Sequence, residues 1–149
     1  MSSSKYPIAY ATVRVFSHAT EDQEKVQNAV HNILPEKLKE TLVFTKTSLI
    51  GHHGNPILVL EAELTDKPTL PSMIEKFACM LSSLDKEQLQ TEWNQHIEKH
   101  KLYLRFDKQS AFLGKLKLSN TDPIHFKLHF KNKTSEEITD LCKKAGLLQ

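Results

Sequence analysis

The pattern that most constrains the fold of this chain is an alternation of apolar and polar residues in its last third. Over residues 101–106 and 124–131, every second side chain is apolar and those between are mostly basic or aromatic. The apolar set is Leu102, Leu104, Phe106, Ile124, Phe126, Leu128 and Phe130, and residues 115–118 repeat the pattern with Leu116 and Leu118. Strand side chains point alternately to opposite faces, so the pattern predicts three strands, each with one buried and one exposed face.

Positive charge is concentrated in the same region. Residues 99–133 hold nine Lys and Arg and two acids, whereas residues 1–98 hold nine basic and thirteen acidic residues. The formal net charge of +2 therefore conceals a polarised chain. A basic surface attracts a polyanion, and RNA is the first candidate partner. The alternative is that the lysines only keep an exposed sheet surface soluble.

The remaining sequence predicts helices and further strands. Strands are predicted at 8–16, 41–50 and 57–64, and helices are predicted before Pro35, at 69–83, at 85–99 and from Ser135 to a stop at Gly146. We expect a single α+β domain over residues 1–149, with a frayed start at 1–7 and a C-terminal helix within 134–149. Its sheet is largely antiparallel or mixed, with helices packed on one face.

Composition argues against a membrane or secreted protein. No apolar run has the length of a membrane span or the form of a signal peptide. Cys79 and Cys142 lack the spacing of a metal site and predict buried, reduced thiols. We therefore expect a cytoplasmic protein with no membrane partner.

The candidate RNA-binding residues follow from the basic strand faces. If the three late strands are neighbours, their basic side chains share one surface, and Lys108 follows in the next turn. Lys and Arg would neutralise phosphates, while Tyr103 and His129 offer flat groups on which an unpaired base could stack. The predicted set is Tyr103, Arg105, Lys108, Lys115, Lys117, Lys127, His129 and Lys131.

Histidines supply a second group of candidates. His52 and His53 lie between two glycines in a tight connection, and with His18 they could contact a phosphate or bind a divalent metal. The sequence favours phosphate contact or a plain structural turn, because no carboxylate or cysteine lies nearby. His96 and His100 lie on one side of the predicted helix 85–99, which is typical of a polar helix face. No catalytic arrangement is legible, so we expect no enzyme, no metal and no cofactor.

Three strings together resemble a known family. FSHATED at residues 16–22 with Lys25-Val26, GHHGNPI at 51–57 and LYLRFDKQ at 102–109 are similar, in order and spacing, to archaeal exosome-associated RNA-binding proteins. The resemblance covers about residues 8–131. It implies RNA binding in an exosome or ribosome context, and a fold like that of the ribosomal protein that binds 5S RNA. It identifies no catalytic residue.

The sequence thus favours a non-catalytic RNA-binding protein that holds phosphates on a basic sheet face. The alternative is an assembly module that docks on exosome or ribosomal proteins, or forms a homodimer, without contacting RNA. A metal-dependent hydrolase using His18, His52 or His53 is a third hypothesis.

Overall fold

One antiparallel sheet carries the fold of this computed structural model, which describes residues 6–51 and 54–148. Its strands are β1 (Ile8–His18), β2 (Thr45–Ile50), β3 (Pro56–Leu64), β4 (Ile97–Glu98), β5 (Lys101–Phe106) and β6 (Ile124–Phe130), in the order β2-β3-β1-β6-β5-β4. The alternating segments 101–106 and 124–131 are confirmed as neighbouring strands. The hairpin predicted from 41–50 and 57–64 is confirmed as β2–β3, with β2 beginning at Thr45.

Helices account for most of the remaining described chain. They are α1 (Gln23–Asn32), α2 (Glu36–Glu40), α3 (Leu70–Met80), α4 (Ser83–Thr91), α5 (Trp93–His96), α6 (Lys108–Phe112) and α7 (Ser135–Ala145). α7 begins at Ser135 as expected, because Thr134 and Glu137 form a capping box. It ends at Gly146, whose φ of +90° suits glycine.

The core lies between the helices and one face of the sheet. Phe77 of α3 packs edge-to-face on Phe106 of β5 and Phe126 of β6, with ring centroids 4.9 and 5.2 Å apart. Buried residues of α1 and α7, among them Val30 and Ile138, join the same cluster. The apolar half of each alternating strand is therefore covered, and the other half forms the opposite face. The α+β class with helices packed on one face is confirmed.

The predicted helix 85–99 is interrupted at Glu92 and ends at His96, three residues early. The chain forms α4 and the short α5, and Ile97–Glu98 then pairs with β5 as β4. His96 is buried, and its Nδ1–H donates to the Tyr103 carbonyl oxygen at 2.8 Å. His100 lies in the turn after β4, and its Nδ1 donates to the Lys133 carbonyl oxygen. The polar helix face expected for these histidines is therefore absent from the described chain.

The predicted third late strand at 115–118 is also wrong. After α6 the chain turns at Gly114, whose φ is +79°, and touches β5 through a single bridge between Leu118 and Phe106. Leu116 is buried while Lys115 and Lys117 are exposed, so the alternation is real. It arises from one apolar anchor in a loop and not from a strand, because β5 meets this segment only at its end.

The expected thiol burial holds for one cysteine of two. Cys142 of α7 is buried, and burial raises its pKa to about 12. Cys79 is exposed, because it lies outside the buried stripe of α3. Both thiols are free.

Within the described ranges, every helix is too short or too polar to cross a membrane. Residues 1–5, which make up most of the segment expected to be frayed, lie outside the described residues. Pro7, at the end of that segment, is hydrogen-bonded to the rest of the fold: its carbonyl oxygen accepts from the Lys131 N–H at 2.8 Å.

Candidate nucleic-acid interface

The helix-free face of the sheet gathers basic and aromatic side chains from three adjacent strands. Pairing of β6 with β5 and β1 places His125 between Arg105 and Arg14, and Lys127 between Tyr103 and Thr12. The same register places His129 between Lys101 and Tyr10, which makes a third row. We name this surface the open face: Tyr10, Thr12, Arg14, Phe16, Lys101, Tyr103, Arg105, His125, Lys127 and His129. Residues more than a hundred positions apart in the chain thus form one surface.

Flat rings on the open face lie against one another. Tyr10 stacks on His129 with centroids 4.1 Å apart and planes inclined by 18°. Tyr103 lies parallel to His125, with centroids 5.8 Å apart and planes inclined by 3°. Such rings can extend a stack by receiving an unpaired base.

The cations of the open face lack ion-pair partners within the described part of the chain. Among the described residues, Arg14, Lys101, Arg105 and Lys127 form no salt bridge and no side-chain hydrogen bond. Arg14 instead lies over the Phe16 ring, with its guanidinium carbon 5.9 Å from the centroid. These charges remain free to bind an external anion.

Acidic residues border the open face on both sides. Glu61 and Glu63 of β3 lie opposite Arg14 and Thr12, and Glu98 of β4 lies opposite Lys101. Between these borders the cationic band is three strands wide, which is about 10 Å at the usual strand spacing.

The histidines of the open face are held neutral. Burial, followed by the charges of Arg105, Arg14 and Lys127, lowers the pKa of His125 to about 4. Its Nε2 is buried and has no hydrogen-bond partner among the described residues. Burial, with Lys101 and Lys127, also lowers the pKa of His129. At neutral pH both side chains therefore present uncharged rings.

Four of the predicted residues come together on this face and four do not. Tyr103, Arg105, Lys127 and His129 occupy adjacent positions. Lys131 is exposed just past the end of β6, and Lys115 and Lys117 lie in the loop after α6. The eighth, Lys108, lies in an ion cluster, and His52 and His53 lie outside the described residues.

Lys108 makes more ion-pair and hydrogen-bond contacts than any other cation of the described chain. Its Nζ donates to Glu21 Oε1 at 3.0 Å, to Asp122 Oδ2 at 2.7 Å and to the Phe16 carbonyl oxygen at 2.8 Å. The side chain is 11% exposed, and Asp122 also contacts His18 Nε2 at 3.0 Å. We name His18, Glu21, Lys108 and Asp122 the Lys108 cluster. These contacts connect the β1–α1 turn and the start of α6 with the loop before β6.

The Lys108 cluster includes three groups that could ligate a metal. One ligand atom each of His18, Glu21 and Asp122 lies within 4.8 Å of the others. The Lys108 ammonium contacts both carboxylates and so occupies the negative charge that a metal ion would require. A cation already neutralises the acids, so the arrangement favours a structural role for His18 over metal binding or phosphate contact.

Sequence reasoning missed the contribution of β1. Tyr10, Arg14 and Phe16 belong to the open face but lie far from the basic region of the sequence. Their alternation with Ala11, Val13 and Val15 is the signal that could have found them. The pairing of β1 with β6 could not be read from that signal.

Comparison with known proteins places this geometry in a family. A family model described as RNA binding matches residues 10–130. A protein of Pyrococcus abyssi named as an RNA-binding protein is 36% identical over 122 residues, covering 80% of this chain and 79% of that protein.

Two solved archaeal structures share the fold. A protein of Archaeoglobus fulgidus is 29% identical with a TM-score of 0.74, covering 93% of this chain and 99% of that one. A protein of Methanothermobacter thermautotrophicus is 27% identical with a TM-score of 0.73, covering 95% and 98%. Both are described as members of a family of unknown function. On the match that spans the sheet from β1 to β6, this chain belongs to the RNA-binding protein family.

Proposed function

We propose that this chain is a non-catalytic, cytoplasmic RNA-binding protein that holds an RNA strand along its open face. The observation that carries the proposal is a set of four cations that form no ion pair with any described residue and lie among stacked rings on three adjacent strands: Arg14, Lys101, Arg105 and Lys127. Guanidinium and ammonium groups bind phosphates, and exposed ring faces accept bases. The family and the Pyrococcus abyssi relative support RNA as the polyanion.

The shape of the open face favours a single strand over a duplex. The cationic band is only about 10 Å wide and is bordered by Glu61 and Glu63 on one side and Glu98 on the other. A duplex laid across it would bring its second backbone over these carboxylates, which repel phosphate. Single strands expose their bases to the rings, and binding through phosphates and ring faces gives little sequence choice.

Fluorescence anisotropy with labelled single-stranded and duplex RNA tests the proposal. We expect the single strand to bind more tightly, with an affinity that falls steeply between about 50 and 300 mM salt. The double variant Arg14→Ala/Arg105→Ala should lose about a hundredfold in affinity and reduce the salt slope by about two.

Lys143→Ala is the control for charge. Lys143 is exposed on α7, which packs against the covered side of the sheet, so its loss should leave the affinity within about twofold of wild type. Equal losses in both variants, or binding that ignores salt, would contradict a site on the open face.

The remaining predicted residues belong to the proposal as an outer set. Lys115 and Lys117 are exposed in the loop after α6, and Lys131 is exposed just past β6, where they could extend the path of the RNA. Lys108 and His18 would act through the cluster that positions β1, and the predicted phosphate contact by His52 and His53 stays a prediction. The exosome or ribosome context and the resemblance to the 5S-RNA-binding ribosomal protein also stay predictions.

A second candidate function is assembly with another protein, and one observation favours it. β2 is an edge strand whose residues are all exposed, with Leu49 at 50% and Ile50 at 81% exposure. Exposed apolar edge strands are typical of docking surfaces. The partner would be an exosome or ribosomal protein, or a second copy of the chain.

Light scattering on a size-exclusion column measures self-association directly. A pull-down with and without nuclease then separates the two functions. A protein partner retained after nuclease treatment supports assembly, whereas loss of all partners supports RNA binding alone.

A further inference from the structure

A cleft at the β5 edge of the open face has the chemistry of a base-binding pocket. It is an open depression of about 410 Å³ between α5 and β5. Polar side chains that contribute to its lining are Asn94, Gln95, Glu98, Tyr103, Arg105 and His125, and we name it the edge cleft. It adjoins the cationic band through Arg105, which belongs to both.

The wall of the edge cleft is held in place by two partly buried hydrogen bonds. His96 donates to the Tyr103 carbonyl oxygen at 2.8 Å, which ties α5 to β5. Trp93 Nε1–H donates to Thr139 Oγ1 at 2.8 Å, which ties α5 to α7. A four-residue helix is thereby fixed beside the sheet, with Asn94 and Gln95 exposed at its surface.

Glu98 is exposed and lines the edge cleft, so its carboxylate is accessible to a ligand. Its Oε1 accepts from the Tyr103 hydroxyl at 3.2 Å, and the carboxylate forms no salt bridge with any described residue. Burial and the contact with Glu98 raise the pKa of Tyr103, so the hydroxyl keeps its proton and orients the carboxylate. A carboxylate repels phosphate and accepts N–H donors, so the edge cleft suits a base and not the RNA backbone.

The hydrogen-bonding edges of the bases differ in one decisive way. Guanine carries two adjacent donors, N1–H and N2–H, whereas the other bases place an acceptor beside each donor on their Watson–Crick edge. A carboxylate has two acceptor oxygens and matches that pair. Arg105 or the amides of Asn94 and Gln95 can donate to the neighbouring guanine O6, and the Tyr103 ring offers a surface for stacking.

We propose that the edge cleft binds one guanine base of the RNA strand, with Glu98 accepting from its N1–H and N2–H. The inference rests on the proposed RNA-binding function and adds a base preference at a single position. The remaining nucleotides lie over the cationic band and are held without base choice.

The test compares short oligouridines that carry one central guanosine, adenosine or inosine. Wild-type protein should bind the guanosine oligonucleotide about tenfold more tightly than the adenosine one, and inosine, which lacks the N2 amine, should fall between them. Glu98→Gln should abolish this preference, because an amide offers one acceptor and one donor. Tyr103→Phe should weaken the preference by releasing the carboxylate.

Glu63→Gln is the matched control, because it removes an equal charge from the opposite border of the open face. It should raise the affinity for all three oligonucleotides equally and keep the guanosine preference. Equal wild-type affinities for all three oligonucleotides, or a preference that survives Glu98→Gln, would contradict guanine binding in the edge cleft. Neither result would contradict RNA binding by the open face. Absence of binding to any oligonucleotide overturns both proposals.

Discussion

The open face and the Lys108 cluster use the same kinds of residue in opposite ways. In the Lys108 cluster one ammonium touches two carboxylates and a backbone carbonyl and is 11% exposed. On the open face, Arg14 and Arg105 flank His125 and have no salt bridge among the described residues. Both regions lie in the part of the chain matched by the family model.

The difference separates a cation that stabilises the fold from cations that bind a ligand. An ammonium that is already ion-paired neutralises carboxylates within the fold, so its removal leaves those carboxylates without a counter-charge. Uncompensated guanidiniums repel one another and oppose the protonation of a nearby histidine, and a bound anion relieves this cost. Charge alone does not distinguish the two, because Lys108 and Arg105 are three residues apart in one basic region.

Removal of Lys108 should produce the largest effect on stability. Lys108→Met leaves Glu21 and Asp122 without their shared cation, so we expect the free energy of unfolding to fall by about 3 kcal/mol. Urea unfolding measures the change, and Lys108→Arg, which keeps the charge, should lose much less. RNA affinity per folded molecule should stay within about twofold of wild type. A tenfold loss of affinity with unchanged stability would make Lys108 an RNA ligand, as the sequence predicts.

His125 should make stability depend on pH. Burial and the neighbouring arginines lower its pKa from 6.5 to about 4 in the folded protein. Between these values the unfolded chain binds a proton that the folded protein does not. The part of the free energy of unfolding that depends on His125 is therefore fully present above about pH 6.5 and is lost as the pH falls towards 4. The ring is half-buried, so the loss should be only about 1–2 kcal/mol.

Urea unfolding near neutral pH and at about pH 5 checks this expectation. His125→Gln should remove most of the dependence and leave a smaller part from His129, whose pKa is also lowered in the folded protein. Arg105→Gln should flatten it partly, since one of the charges that oppose protonation of His125 is removed. A dependence unchanged in both variants would show that the open face does not carry the uncompensated charge we assign to it.

The sequence predicts this fold well where one rule decides the outcome. Alternation at 101–106 and 124–130 defines two strands and their buried faces, because only one side of each segment is apolar. It fails at 115–118, where Leu116 and Leu118 alternate with lysines in a loop. Two apolar residues are too few to distinguish a strand from a loop that tucks one leucine into the core.

The site is half predictable because it depends on pairing between distant strands. Arg105 and Lys127 belong to the basic region, but Arg14 joins them only through the pairing of β1 with β6. Whether a cation has a partner is equally non-local, since Lys108 meets Glu21 across the fold. Spacing along the chain carries neither piece of information.

The ring stack of Tyr10 on His129 should contribute less than the arginines. Tyr10→Leu keeps an apolar side chain of the strand but removes the ring, so we expect about a fivefold loss of affinity for single-stranded RNA. The slope of affinity against salt should not change, because no phosphate contact is lost. Tyr10→Phe should bind as wild type does. A loss in Tyr10→Phe equal to that in Tyr10→Leu would assign the effect to the hydroxyl and not to stacking.

Lys117→Ala should have the smallest effect and locates the limit of the open face. The Lys117 carbonyl oxygen accepts from the Asp107 N–H at 2.8 Å, which places this residue beyond the last row of β5. We expect about a twofold loss of affinity, because one exposed charge at the edge contributes weakly in salt. Lys127→Ala, within the band, is the comparison and should lose several times more. Equal losses would extend the binding surface from the paired strands to the loop after α6, because an RNA strand would then have to pass both lysines.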